Sequence, residues 1–348
     1  MEVINCIDIR EDSRVPKYQQ IVDSISKNIS NGNIQLDQKL PSINMLSEDF
    51  YLSRDTVEKA YNILKERNVI VSIPRRGNYV SKTEIGNNHN ILFLVNKLST
   101  YKMRIYNSFL NKVGVKAKID LQIYHCDEFL FLNLLKKSKI NYDYFIIMPH
   151  FKTSSLDHVS FTEKALKAVD MIPKEKLLIL DNLMPSVSKD ASSVFQEFDK
   201  DIYEALNKGM DKISKYKKII LVYPTKSVYP YPKRILLGFR KFCIEKGIEF
   251  EVINEVYDDM VLKDGDLFIT IEESDLVKLV NQVRVCNLKL GKDVGVISYN
   301  DTPLKDLLGI TVMSTDFKVM GETAAKMVLN KIRGKFKVPF KLIERESL

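Results

Sequence analysis

The chain has 348 residues, of which 45% are hydrophobic and 28% are charged; its length exceeds one ordinary domain and its composition excludes disorder. No apolar run approaches the roughly 20 residues that cross a membrane. Because the N-terminal residues also lack the apolar core of a signal peptide, we expect a cytoplasmic protein with no membrane partner. The net charge of +8 is compatible with a nucleic-acid partner, and residues 53–82 form a basic strip with seven basic and three acidic side chains.

Three short helices are predicted near the start of the chain. The first carries apolar residues at helical spacing between positions 18 and 29. Ser42 and Ser53 can each cap a further helix, and only a few residues around 50–53 separate the two. Such a short connection between two helices predicts a helix-turn-helix.

A β-hairpin is predicted directly after the third helix. Two strand-like segments, 68–73 and 78–81, flank the turn “PRRG”, which places Arg75 and Arg76 at the tip. Three helices that end in a basic hairpin make a winged helix, whose wing can contact the DNA backbone or minor groove. At the start of the third helix, Arg54 can offer a bidentate fork to guanine or bind a phosphate. The alternative is that these arginines lie on an ordinary solvated surface.

Residues 14–82 resemble the winged-helix domain of the GntR family of bacterial transcription regulators. The matching segments are “YQQI”, “NGNIQLDQKLPS”, “LSRDTVEKAYNIL” and “RRGNYV”, in that order. Asn44 and Glu58 stand where many members have arginine; because a glutamate would accept from cytosine or repel phosphate, we expect an unusual operator. The resemblance and the exposed helix start imply a DNA-binding set of Ser42, Asn44, Ser53, Arg54, Thr56, Glu58, Lys59, Arg75, Arg76 and Gly77.

A polar linker is predicted at residues 83–90, between a DNA-binding domain at 1–82 and a second domain at 91–348. In the second domain, short apolar strands alternate with amphipathic helices, which predicts parallel sheets with helices on both faces. Ten strands fit two Rossmann-like lobes better than one sheet, and ligands in such folds bind at the carboxyl ends of strands. The predicted strands are 91–95, 121–125, 144–149, 176–181, 218–223, 250–254, 266–271, 294–299, 310–314 and 341–346.

Residues 91–348 resemble the effector-binding domain of the LacI family, which shares the fold of periplasmic sugar-binding proteins; the resemblance is clearest over 291–334. It implies a two-lobed α/β fold and, by analogy, a sugar or sugar derivative as the effector. Asn300 stands where the family often has an aspartate that bonds sugar hydroxyls, and its amide can donate and accept. The family's arginine position is Ile235 here, one residue after Arg234. With other strand-end residues, the candidate effector site is Tyr101, His150, Phe151, Asp181, Tyr223, Lys233, Arg234, Glu272, Glu273, Asn300 and Asp301.

Catalysis is not predicted. The sequence has no P-loop, no dinucleotide-binding glycine motif and no GxSxG elbow. Its four histidines and four cysteines lack metal-ligand spacing, so we expect no cofactor and no metal, and the widely separated cysteines are expected to be reduced thiols.

The sequence therefore predicts a transcription regulator with operator DNA, a small-molecule effector and a second copy of itself as partners. A homodimer is expected because one winged helix makes too few contacts for specific affinity. Effector binding would change the angle between the lobes and, through the linker, the spacing of the two DNA-binding heads. Two alternatives stay open: a metabolite-binding protein without a role in gene control, and an enzyme with an appended DNA-binding head.

Overall fold

The computed structural model describes residues 3–67, 69–81, 89–138, 142–182, 191–225 and 227–348. The chain divides into two compact units, Met1–Asn88 with Val115–Ala117 and His89–Gly114 with Lys118–Leu348. Most of the predicted linker, up to position 88, lies outside the described residues, so the domain boundaries drawn around it stay predictions.

The first unit contains three α-helices and a two-stranded hairpin: α1 (Lys17–Ser30), α2 (Ile43–Asp49), α3 (Arg54–Glu66), β1 (Ile70–Ile73) and β2 (Gly77–Val80). Both predicted caps are confirmed. The Ser42 hydroxyl accepts a hydrogen bond from the Met45 amide at 3.1 Å, and the Ser53 hydroxyl accepts one from the Thr56 amide at 3.2 Å. Each bond satisfies an amide in the first turn of a helix that would otherwise lack a partner.

The apolar stripes of α1 and α3 pack into one core, in which Ile21, Val57 and Leu64 are fully buried. Tyr61 shares this core, and its hydroxyl donates to the carbonyl of Pro41 at 2.8 Å, which ties α3 to the segment before α2. The two hairpin strands pair antiparallel. Helix-turn-helix and wing are therefore both present, as the sequence predicts.

The second unit alternates strands and helices along most of its length. Its first stretch contains β3 (His89–Val95), α4 (Thr100–Val113), β4 (Ala117–Ile123), α5 (Glu128–Ser138), β5 (Tyr144–Ile147), β6 (Phe151–Lys152), β7 (His158–Val159), α6 (Glu163–Asp170), β8 (Leu177–Asn182) and β9 (Ser192–Gln196). Its second stretch contains α7 (Phe198–Lys208), α8 (Met210–Ile213), β10 (Lys218–Val222), α9 (Lys233–Lys246), β11 (Glu249–Ile253), β12 (Asp266–Thr270), α10 (Glu273–Val285), β13 (Val294–Tyr299), α11 (Pro303–Leu307), β14 (Thr311–Thr315), α12 (Phe317–Leu329), β15 (Lys335–Lys337) and β16 (Phe340–Ile343).

The strands form two six-stranded sheets, in the orders β15-β9-β8-β5-β3-β4 and β11-β10-β12-β13-β14-β16. Strands β3, β5, β8 and β9 pair parallel, as do β10 to β14, while β16 runs antiparallel to β14. All ten predicted strands overlap strands of these sheets, which confirms two Rossmann-like lobes. The sequence missed β9 and β15 because β9 begins with two serines and β15 has only three residues, all exposed.

The chain passes between the two lobes three times: after β9, between β14 and β15, and between β15 and β16. Hydrogen bonds tie these passages together. The Thr315 hydroxyl donates to the side-chain oxygen of Gln196 at 2.6 Å, and the Val338 amide donates to the carbonyl of Phe195 at 2.9 Å. The three passages therefore lie side by side and make a hinge region.

Helix α12 follows a strand of the second lobe but packs against α4 of the first lobe. The helices approach so closely at Gly321 that a Cβ atom there would lie 2.3 Å from the carbonyl oxygen of Ile105. This close packing fixes α4, whose first turn lies at the cavity described below. In the described part of the chain, no helix has the length and apolar character needed to cross a membrane.

Candidate functional site

The residues predicted to bind DNA lie on α2, α3 and the hairpin, and all except the half-buried Thr56 are exposed. The hydroxyls of Ser42 and Ser53 cap their helices, so these side chains mark the two helix starts. Arg54 is the first residue of α3, and no carboxylate of the described residues lies within 4.0 Å of it. A cation at a helix start, where free amides also favour anions, suits a contact with a base edge or a phosphate.

Further along α3, Lys59 and Glu58 are exposed. The Lys59 ammonium lies 4.0 Å from the centre of the Tyr18 ring on α1, a cation–π contact that orients this side chain.

The tip of the hairpin is a tight turn that holds both arginines outward. Arg75 has a φ of 63°, the Arg76 amide donates to the carbonyl of Ile73 at 3.0 Å, and Gly77 has a φ of 109°. A side chain at Gly77 would be strained at this φ, and its Cβ would lie 3.2 Å from the Lys39 side chain. The glycine therefore permits the turn that exposes Arg75 and Arg76.

In the second unit, a cavity of about 320 Å³ opens between the two lobes. Its walls come from segments that follow β3, β5 and β9 in the first lobe and β12 and β13 in the second, together with the start of α9. These are carboxyl ends of strands and starts of helices, where the fold predicts a ligand. Six of the eleven residues predicted for the effector site line this cavity: Tyr101, His150, Glu272, Glu273, Asn300 and Asp301.

Phe151 and Tyr223 also follow strands, but the structure places both in hydrophobic cores. The Phe151 ring is fully buried, with its centre 4.9 Å from the ring centres of Tyr124 and Phe131. The Tyr223 hydroxyl donates to the carbonyl of Tyr231 at 2.8 Å and so supports a cavity residue without lining the cavity itself.

Lys233 and Arg234, in the first turn of α9, face away from the cavity. Lys233 is exposed and pairs with Asp157 at 2.8 Å, and Arg234 pairs with Asp199 at 2.5 Å. Each residue along a helix is rotated by about 100° from the one before, so it is the following residue, Ile235, that lines the cavity. The predicted arginine contact is therefore replaced by an apolar surface.

Beneath the cavity wall, the fully buried Asp181 organises a polar network. Its carboxylate accepts hydrogen bonds from the Tyr101 hydroxyl at 3.0 Å, from His150 Nε2 at 2.8 Å and from the Gln196 amide. His150 Nδ1 lies 2.8 Å from Nε2 of His158. Burial opposes the ionised form of Asp181, but the hydrogen bond from His150 and the charge of Lys102 hold its pKa at about 2.

Both histidines are neutral near pH 7. Burial, followed by the charge of Lys102, lowers the pKa of His150 to about 4, and burial lowers that of His158 to about 2. Because His150 Nε2 faces the ionised Asp181, this nitrogen carries the proton and Nδ1 accepts from His158. The chain His158 to His150 to Asp181 is thus fully hydrogen-bonded without a second charge.

Three lysines line the cavity. Lys102 is 2% exposed and its ammonium donates to the side-chain oxygen of Asn96; burial lowers its pKa to about 8. Burial also lowers the pKa values of Lys97 and Lys305. Lys305 donates to the carbonyls of Tyr299 and Asn300, at 2.7 and 3.0 Å.

Two hydroxyls at the cavity, Ser99 Oγ and Tyr299 OH, are buried without a hydrogen-bond partner in the described part of the chain. Buried polar groups are normally paired, so these two are candidates for ligand contacts. Sequence reasoning missed them, together with the three lysines and Tyr231. The expectation that ligands bind at the carboxyl ends of strands would have predicted Asn96 and Gln196, which follow or end strands. Nothing in the sequence indicates that a lysine within a helix faces a cavity.

Among the described residues, no group of three or more His, Cys, Asp or Glu side chains is placed to hold a metal ion.

Acidification should destabilise the second unit. The unfolded chain protonates its histidines near pH 6.5, whereas folded His150 and His158 stay neutral down to about 4 and about 2. Their contribution to the free energy of unfolding is therefore fully present above pH 6.5. It is lost as the pH falls, by up to roughly 1.4 kcal/mol per histidine for each pH unit. Urea unfolding between about pH 7.5 and 4.5, followed by circular dichroism, measures this loss.

His158→Gln is the control, since a glutamine amide can still donate to His150 but does not titrate. The variant should lose less free energy of unfolding than the wild type over the same pH range. Equal losses in the two proteins would contradict the assignment of neutral histidines.

Two family models match the chain. Residues 17–80 match the bacterial regulatory proteins of the gntR family, and residues 214–348 match the periplasmic binding protein-like domain. The HTH-type transcriptional repressor NagR of Bacillus subtilis (strain 168) is 34% identical over 79 residues, which cover 23% of this chain and 32% of that protein. The mannosyl-D-glycerate transport/metabolism system repressor MngR of Escherichia coli (strain K12) is 34% identical over 70 residues, 20% of this chain and 29% of that protein. The chain thus spans about a third or less of the length of these two relatives.

Solved structures resemble most of the chain in fold. The trehalose repressor from Escherichia coli superposes with a TM-score of 0.58 at 14% identity, covering 74% of this chain and 100% of that chain. A LacI family transcriptional regulator from Lactobacillus casei with bound glucose gives a TM-score of 0.58 at 12% identity, covering 74% and 99%. At such identities the likeness establishes the fold alone. The chain therefore carries a GntR-family helix-turn-helix domain at its N-terminal end, followed by a periplasmic binding protein-like domain with the fold found in LacI-family regulators.

Proposed function

We propose that the protein is a cytoplasmic transcriptional regulator that binds operator DNA through its winged helix and releases or tightens that DNA when a small molecule binds between the lobes. The observation that carries this proposal is that one chain contains both an exposed recognition helix, α3, and an interlobe cavity with buried hydroxyls that lack a partner among the described residues. The proposal treats the protein as a sensor without catalysis.

The DNA contacts in this proposal are the exposed residues of the winged helix. Arg54, at the start of α3, reads a base or binds a phosphate, while Arg75 and Arg76 bind the backbone or minor groove. Asn44 and Glu58 alter the contacts available to most GntR members, so the preferred operator differs from theirs. Two heads are needed for specific affinity, and the protein therefore acts as a homodimer on a roughly palindromic site.

The effector in this proposal is a sugar or sugar derivative. Two structures of similar fold contain sugars, glucose in one and D-xylulofuranose in the other. The cavity offers matching groups: the amide of Asn300 and the free hydroxyls of Ser99 and Tyr299 can bond ligand hydroxyls, and the rings of Tyr101 and Tyr231 provide apolar faces.

The signal passes through the hinge region in this proposal. A ligand that contacts both walls binds the closed arrangement of the lobes more tightly than the open one, and this difference limits how far it can shift the population. Gln196 lines the cavity and is bonded to Thr315 in a neighbouring passage, so the cavity and hinge share side chains. The predicted linker at 83–90 then carries the change to the DNA-binding heads.

Arg54→Ala should weaken binding to specific DNA by ~1–3 kcal/mol, because it removes a bidentate contact to a base edge. The specific sites are first recovered by selection from a random DNA library with the purified full chain. Fluorescence anisotropy at one fixed salt concentration then compares selected with random DNA.

Arg67→Ala is the matched control, since Arg67 is an exposed arginine at the opposite end of α3. It should bind selected DNA nearly as the wild type does. Equal losses on selected and random DNA for Arg54→Ala would make Arg54 a phosphate contact only. Failure to recover any selected sequence would overturn the proposed function.

Arg75→Ala should reduce the salt dependence of DNA binding. A wing arginine that binds a phosphate releases condensed counterions, so its removal lowers the slope of log K against log salt by ~1. Anisotropy titrations at a series of salt concentrations give the slope, with Arg67→Ala again as the comparison. An unchanged slope for Arg75→Ala would remove the wing tip from the interface.

Ser274→Trp should weaken effector binding, because Ser274 is an exposed residue that lines the cavity and an indole there would occupy part of it. The effector is found by a thermal-shift screen of sugars, sugar phosphates, nucleosides and amino acids, in which a saturating ligand stabilises the domain that binds it. The affinity for the hit should fall at least about tenfold, or ~1.4 kcal/mol.

The matched control is Ser214→Trp, at an exposed position at the end of α8 that does not line the cavity. It should bind the hit as the wild type does. If Ser274→Trp retains wild-type affinity, the effector binds elsewhere; if DNA binding is the same with and without the hit, the regulatory part of the proposal is wrong.

A further inference from the structure

The charges in the cavity specify the ligand more narrowly than “sugar or sugar derivative”. We propose that the effector carries an anionic group, a phosphate or a carboxylate, and that Lys97, Lys102 and the first turn of α4 bind it. This inference rests on the proposed function in one respect, that the cavity between the lobes is the effector site.

Lys102 is the first observation. It lines the cavity, is 2% exposed, and among the described residues has no carboxylate within 4.0 Å of its ammonium. Its hydrogen bond goes to the neutral side chain of Asn96. Asp181 acts on Lys102 through space, but the three donors described above already bind that carboxylate. A buried ammonium without a paired anion is costly, and a ligand anion would supply the missing partner.

Lys97 places a second ammonium in the same wall. Its Nζ lies 5.1 and 4.9 Å from the ring centres of Tyr229 and Tyr231. Ring faces hold and orient a cation but leave its charge unneutralised. Glu272 acts on Lys97 through space without coming within 4.0 Å. The half-buried Lys97 is therefore free to pair with an anion that enters the cavity.

The first turn of α4 supplies neutral donors between these two lysines. Ser99 precedes the helix, but its hydroxyl makes no cap bond, so the first amides of this 14-residue helix keep their hydrogen-bonding capacity. A helix start of this kind favours an anion. From the opposite lobe, Tyr299 is 6% exposed, lines the cavity and has an unpartnered hydroxyl, which independently indicates a missing ligand atom.

Two of the three carboxylates that line the second-lobe wall are paired with cations of their own lobe. Asp301 pairs with Arg345 at 2.9 Å, and Glu273 lies 3.8 Å from Lys305. Glu272 has no ion pair within 4.0 Å among the described residues, and its charge acts through space on Lys97. The two cavity ammonium groups without a carboxylate within 4.0 Å among the described residues, those of Lys97 and Lys102, therefore both lie on the first-lobe wall.

The test uses the full-length protein without DNA and sulfate or inorganic phosphate as the probe. Isothermal titration calorimetry is carried out against a sodium chloride control of equal ionic strength. Wild-type protein should bind either anion, and Lys97→Gln should lower the affinity about tenfold or more, because it removes a charge-assisted hydrogen bond. Lys246→Gln removes the same charge from an exposed lysine at the far end of α9 that does not line the cavity, and it should bind as the wild type does.

A second variant, Lys102→Met, tests the buried ammonium and should also lose anion affinity; circular dichroism verifies that it folds. If Lys102→Met does not fold, Lys97→Gln decides the outcome. Absence of sulfate and phosphate binding by the wild type would overturn the inference, as would equal loss in Lys97→Gln and Lys246→Gln.

The pH dependence of sulfate binding gives a readout that a structural lysine would not. Sulfate keeps its charge across the range, while burial lowers the pKa of Lys102 to about 8. Sulfate affinity should therefore fall as the pH rises through about 8, and a constant affinity would contradict the role of Lys102. The groups that act on Lys102 are Lys97, Asp181, His150, Cys126 and the neighbouring Tyr101.

Glucose, glucose 6-phosphate and glucuronate then distinguish the source of the charge. If glucose 6-phosphate binds more tightly than the other two, the anionic group is a phosphate; if glucuronate does, it is a carboxylate. Glucose binding as tightly as both charged compounds would overturn the inference. Because none of these titrations contains DNA, a negative result would contradict the anion inference without contradicting operator binding. Conversely, a protein that binds anions but selects no DNA sequence would fail the proposed function alone.

Discussion

The second unit depends on one buried anion, the carboxylate of Asp181. An ionised carboxylate removed from water must be fully hydrogen-bonded, and three segments supply its donors: the first turn of α4 with Tyr101, the segment after β5 with His150, and the end of β9 with Gln196. The same carboxylate fixes the tautomers of two neutral histidines. Because Gln196 also accepts from Thr315, the network extends from beneath the cavity into the hinge region. Cavity and hinge are consequently parts of one polar core.

The charged side chains that line the cavity differ between the two lobes. The first-lobe wall carries the ammonium groups of Lys97 and Lys102 without a carboxylate within 4.0 Å in the described residues, while Glu273 and Asp301 of the second lobe are paired within their own lobe. A ligand with an anionic end and hydroxyls would therefore contact the first lobe by charge and the second by hydrogen bonds. Such a ligand bridges the two walls, which is the requirement for shifting the population of lobe arrangements.

The first unit uses local interactions to present its polar surface. Serine caps fix where α2 and α3 begin, so Arg54 stands at the first position of α3, and Gly77 permits the turn that exposes the wing arginines. The apolar faces of the helices are buried in the small core of this unit. What remains outward is a polar face that includes Asn44, Arg54 and Glu58.

The sequence by itself determined the winged helix, the ten strands and the two-lobed α/β fold, because caps, periodicity and turns are set by neighbours in the chain. It also located six cavity residues, since strand ends meet at one edge of a parallel sheet. Only the tertiary structure decided which of the candidate side chains face the cavity. On α9, for example, Ile235 lines the cavity and the preceding Arg234 does not. It alone brought Lys97, Lys102, Tyr299 and Asp181 together, because their segments lie up to about two hundred residues apart and burial of an unpaired charge is a property of the assembled lobes.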